Sequence, residues 1–89
     1  MKEKEFWERL KKEDLVKRAR FGVCDYPLHG DSGYPECSIY YSQEKGCYVM
    51  DEPTERSNNV YSIEFESEDE AFDYVYHKIK GIAEWNEKR

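Results

Sequence analysis

The stretch "VYSIEFESEDEAFDYVYHKI", residues 60–79, changes the period of its apolar residues within a few positions. Up to Glu66, Tyr61, Ile63 and Phe65 alternate with Ser62, Glu64 and Glu66, the pattern of a strand with one buried face. Beyond it, Phe72, Val75, Tyr76 and Ile79, extended by Ile82 and Ala83, recur at helical spacing. Ser67 stands as N-cap with Glu70 as its capping-box partner, and Glu68, Asp69 and Glu70 complement the positive end of the helix dipole. The apolar stripe of such a helix covers the inner face of a sheet, which dictates an α+β architecture. Gly81 fits either a C-cap, with Ile82 to Trp85 packing back, or the interior of a longer helix.

Upstream, "CSIYYSQEKGCYVMDEP", residues 37–53, reads as a β-hairpin in which Gly46 supplies the positive backbone angle of a short loop through Gln43, Glu44 and Lys45. A register centred on Glu44 sets Ile39 opposite Val49 and Tyr41 opposite Cys47, all four inward. Tyr40, Tyr48 and Met50 then point outward, and a slip of one residue would exchange the sets. The polar stretch "DEPTERSNN" leads to the third strand. At the start of the chain, acid-before-base pairs four residues apart (Glu5 to Arg9, Glu8 to Lys12, Glu13 to Lys17, Asp14 to Arg18) predict helix. Phe6, Trp7 and Leu10 form a stripe that Leu15, Val16 and Ala19 do not continue in phase, so residues 3–20 should hold a kink or two short helices. The glycines and prolines of residues 21–35 predict a loop, pinned by Tyr26, Leu28 and Tyr34. The expected fold is one domain over residues 1–89: a three-stranded antiparallel sheet packed on one face against N- and C-terminal helices, in the order α-β-β-β-α.

A chain of 89 residues buries only somewhat more than about 60% of the surface its unfolded form exposes, which leaves no room for a deep active site. No apolar run approaches the roughly 18 residues of a membrane span, and the N-terminus has no apolar segment of a secretory signal; a cytoplasmic protein is expected, with no membrane partner. Three cysteines, Cys24, Cys37 and Cys47, cannot all pair and fit reduced thiols. The net charge of −6 conceals an asymmetry. Residues 1–20 carry eight bases against five acids, whereas from Asp51 to Asp73 nine carboxylates meet one base, Arg56. Such a field repels nucleic acid and attracts cationic surfaces.

The chemistry-bearing residues do not assemble into an enzyme signature. Cys24 and His29 share one glycine-rich loop and could form a thiol site, but the acids around them, Asp25 and Asp31, favour the protonated thiol. Zinc would need paired cysteine or histidine spacings; Cys37 and Cys47 lie across a hairpin, and His77 belongs to a helix surface. The carboxylates lack the contrasting surroundings of an acid–base pair. No phosphate loop or nucleophile elbow is present, and no cofactor is expected.

The order of these signals resembles the small immunity proteins of bacterial polymorphic toxin systems. The likeness lies in a leading helix, "ECSIYY", "EKGCYVMDE" and "FESEDEAFDYVYHKI", covering roughly residues 36–80. Two departures stand against it: the longer loop "DEPTERSNNV", and Tyr48 where the family has a tryptophan. The resemblance implies a compact α+β domain that binds and neutralises one cognate toxin, often a nuclease, and it brings no catalytic residues. Exposed tyrosines ringed by acid would suit a basic toxin domain, because charge complementarity speeds association and aromatic anchors supply binding energy. The expected contact surface is Tyr40, Tyr48, Met50, Asp51, Glu52, Glu55, Glu64 and Glu66, on a monomer or weak homodimer. A regulatory adaptor for another cytoplasmic protein is the alternative, and a small thiol-dependent enzyme the third reading.

Overall fold

A computed structural model describes residues 1–25, 34–53 and 60–88. The elements run α1 (Glu3–Lys12), α2 (Leu15–Ala19), β1 (Gly22–Cys24), β2 (Glu36–Ser42), β3 (Cys47–Pro53), β4 (Val60–Phe65) and α3 (Glu68–Glu87). The architecture is α+β, with a four-stranded mixed sheet in the order β1-β2-β3-β4 and helices at both chain ends. The expected all-antiparallel three-stranded sheet thus needs correction. Gly22–Cys24, inside what the glycine and proline content predicts as loop, pairs parallel to β2, Val23 opposite Cys37. Three residues are too few for any periodicity to appear, so only the neighbouring strand makes this segment β.

The N-terminal stripe breaks where its phase fails. Asp14 adopts a left-handed conformation (φ 51) between α1 and α2, and Arg20 repeats it (φ 55) after α2. Aspartate tolerates this region better than most side chains. The break turns Leu15 and Ala19 toward the same core that Phe6 and Leu10 enter from α1. α3 begins as its sequence dictates: the Ser67 hydroxyl accepts from the Glu70 backbone N–H at 3.2 Å. Gly81 lies within the helix, which continues to Glu87.

The hairpin closes one residue away from the expected register. Its loop includes Gly46 (φ 70), whose N–H donates to the Ser42 carbonyl at 2.8 Å, so Ser42 pairs with Cys47, Tyr41 with Tyr48, Tyr40 with Val49 and Ile39 with Met50. By the two-residue period of a strand, this exchanges the faces of β3. Tyr48 and Met50 lie on the helix side with Cys37, Ile39 and Tyr41; Cys47, Val49 and Asp51 lie opposite, with Ser38 and Tyr40.

The core fills the space between the helices and that first face. Phe6, Leu15, Phe72, Val75 and Ile79 from the helices meet Cys37, Ile39, Met50 and Phe65 from the sheet, and the Phe6 and Phe72 rings stand 5.1 Å apart. Each such side chain stabilises the fold by roughly 1.5–3 kcal/mol relative to exposure. Polar ties hold the helices in place around it. The Met1 ammonium bridges Asp69 and Asp73 at 3.0 and 2.9 Å, the Glu3 N–H donates to Glu68 at 2.8 Å, and the Tyr76 hydroxyl donates to Glu13 at 2.7 Å. At the far end of α3, Asn86 donates to the Ala19 carbonyl at 2.9 Å and Arg18 pairs with Glu87. Among the described residues, no helix is long and apolar enough to cross a membrane.

Candidate partner-binding surface

The sheet face opposite the helices carries a polar cluster centred on Asp51. β3 places this residue between Ser38 of β2 and Ser62 of β4. Its carboxylate accepts from the Tyr40 hydroxyl at 2.7 Å and from the Ser62 hydroxyl at 2.5 Å. Farther along the face, the Cys47 thiol donates to Glu64 at 3.7 Å, and Lys45 stands 3.8 Å from the same carboxylate. Exposure rises toward one edge. Cys24, Ser38 and Val49 are buried although they point away from the helices, Tyr40 and Asp51 are half-buried, and Ser62 and Glu64 are exposed. The accessible, acid-bearing part of this face is therefore its β4 side.

Of the residues expected to touch a partner, Tyr40, Asp51 and Glu64 share this face, and Glu66 is exposed just past the end of β4. Met50 and Tyr48 do not join them. Met50 is fully buried under the helices, and the Tyr48 ring packs edge-on against Phe72 at 5.5 Å, where burial raises the pKa of its hydroxyl. Both placements follow from the shifted register and correct their expected outward orientation. Glu52 also falls on the helix side, 3.3 Å from Lys78 of α3. Glu55 lies outside the described residues.

The acidic run is less bare than its sequence suggests, because the fold brings bases to it from elsewhere in the chain. Besides Lys78 on Glu52 and Lys45 on Glu64, Lys2 stands 3.3 Å from Asp69. The Met1 ammonium holds the Asp69 carboxyl below the usual aspartate range and is itself raised, first by Asp73. Glu68, Asp69 and Asp73 thus fasten the start of α3 to the start of the chain. Glu64, with Lys45 3.8 Å away, and Glu66 remain exposed at the β4 side.

Sequence reasoning missed several exposed rings. Tyr61 (57% exposed) and Tyr74 (43%) flank the β4 edge on its helix side, where the Tyr74 ring lies 5.4 Å from Phe65. Tyr74 was discoverable, since it falls off the apolar stripe of α3. Tyr61 was not: it alternates with the inward residues, and only the position of β4 at the sheet's end leaves it uncovered.

Two of the three thiols, Cys24 and Cys37, are buried. Burial pushes the Cys37 thiol up to about 12, and the buried Cys24 thiol donates to the Cys37 carbonyl at 3.7 Å. His29, the expected base, lies outside the described residues. The His77 ring is exposed, its Nδ1 2.7 Å from the Asp73 carbonyl oxygen. Among the described residues no group of histidine, cysteine and acid side chains is arranged to hold a metal ion. An apolar cleft of about 290 Å³ opens between α1, α2 and β1, walled by Trp7, Leu10, Val16 and Val23. Comparison with family models, with curated proteins and with solved structures gave no match.

Proposed function

We propose that the chain is a non-catalytic inhibitor of the immunity-protein kind, which binds and neutralises a basic, nuclease-type toxin domain in the cytoplasm of the producing cell. The observation that carries this reading is the open acidic margin of the sheet, where Glu64 and Glu66 stand exposed beside the Tyr40–Asp51–Ser62 cluster. A protein that must capture a basic domain quickly gains from such a margin, since complementary charge accelerates encounter before contacts lock. The contact surface is revised accordingly to Tyr40, Asp51, Glu64 and Glu66, with Tyr61 and Tyr74 as candidate aromatic anchors in place of Tyr48 and Met50.

Co-purification with the C-terminal domain of a large secreted toxin encoded directly upstream tests the reading. A stable stoichiometric complex and loss of the toxin's activity are expected. Glu64→Lys with Glu66→Lys should slow association at low salt and have little effect at high salt. The absence of a complex, or an association rate indifferent to those charges, overturns it.

A further inference from the structure

We infer that the outer edge of β4 is a strand-addition site for an extended segment of the partner in which basic and apolar residues alternate; this rests on the proposed capture of a basic protein. β4 is the last strand of the sheet, and among the described residues its backbone hydrogen bonds run only to β3. An edge strand of six residues directs half of its N–H and C=O groups away from the sheet, in the spacing that another extended chain matches. The side chains on either side of that edge differ in kind, and the difference specifies the occupant.

On the outer face, a strand laid beside β4 would run past Ser62 and Glu64 toward Glu66. Lys45, the cation near Glu64, is 3.8 Å away with both side chains about half exposed (45% and 60%), a contact that an incoming base can replace at little cost. On the helix face the same strand would meet Tyr61 and the half-buried Ile63, with Tyr74 of α3 forming a lip above Phe65. Because successive side chains of a strand point to opposite faces, the best-matched segment alternates lysine or arginine with apolar residues. A second copy of this chain is a poor occupant, since pairing β4 with β4 sets two acid-bearing strands side by side. Nucleic acid is disfavoured by the sign of the charge.

The test uses the whole 89-residue chain and a short blocked peptide of alternating lysine and valine, beside an analogue methylated at every backbone nitrogen. The peptide should slow hydrogen exchange of the outward-facing β4 amides, and the methylated analogue, which keeps every charge and side chain, should bind at least about tenfold more weakly through lost backbone hydrogen bonds. Glu64→Lys with Glu66→Lys should abolish binding of the lysine–valine peptide and admit a glutamate–valine one. Equal binding of the methylated analogue, or protection confined to other strands, overturns the inference. So does concentration-dependent protection of β4 without peptide, which would assign the edge to a second copy. If a toxin domain is neutralised in a charge-dependent way while β4 stays unprotected, the edge assignment falls and the function stands. If the peptide protects β4 but no toxin domain is bound, the function falls and the edge stands.

Discussion

The two faces of the sheet are written in the same alternating code yet hold unlike chemistry. Toward the helices, Ile39, Met50 and Phe65 are nearly or fully sequestered against Phe6, Phe72 and Ile79. Away from them, Tyr40, Asp51 and Ser62 are tied by hydrogen bonds, and exposure grows toward β4. A buried apolar face stabilises through area removed from water, which is large and non-directional; a polar face stabilises through bonds that exchange with water and net little each. Stability and recognition can therefore occupy adjacent residues of one strand, with substitutions on one face leaving the other in place.

Substitutions should rank the faces. Phe72→Ala removes a fully buried ring that touches both Phe6 and Tyr48, and should cost about 3–5 kcal/mol in urea unfolding, enough to threaten folding of a domain this small. On the other face, Asp51→Ala removes the acceptor shared by Tyr40 and Ser62 and should cost about 2 kcal/mol by the same measurement. A loss equal to that of Phe72→Ala would erase the distinction.

The polar tie between α1 and α3 sharpens the comparison by adding pH. The Tyr76 hydroxyl, and after it the Lys80 charge, holds the Glu13 carboxyl below its ordinary value of 4.5. Because the folded value is the lower one, this contribution is complete above the unfolded value and is lost as pH falls through the folded one. Tyr76→Phe should cost about 1 kcal/mol at neutral pH. The deficit should shrink below about pH 4.5, read as converging unfolding midpoints of wild type and variant. A deficit unchanged down to strong acid would show that the hydroxyl stabilises the fold without the ionised Glu13 carboxylate.

The smallest expected effect is the most pointed. Ser38 is buried on the outer face, and among the described residues its hydroxyl has no hydrogen-bond partner. Ser38→Ala should leave the unfolding midpoint unchanged or raise it slightly, because an unsatisfied buried hydroxyl contributes nothing that alanine lacks. A clear loss of stability would reveal a polar role at the centre of that face.

The elements legible before folding were those whose cause is local. The Ser67 cap, the stripe through Phe72, Val75, Tyr76 and Ile79, and the break near Asp14 all depend on residues within a few positions of one another. The hairpin was legible as a hairpin and not in register: whether Gly46 lies within the loop or pairs with Ser42 is decided by how the turn closes, and the answer exchanges Met50 and Val49 between core and outer face. β1 was invisible, since its identity rests on pairing with β2. The acidic run was legible as composition but not as a surface, because Met1, Lys2 and Lys78 reach it only through the fold.

The order of residues alone determined an α+β chain whose final helix must cover a sheet, since a capped apolar stripe directly after an alternating strand has no other way to leave water. The tertiary structure alone decided which side of β3 meets that helix, which strand ends the sheet, and which carboxylates are met by bases from elsewhere in the chain. Those are relations between distant residues, and backbone periodicity carries no information about them until the chain has closed on itself.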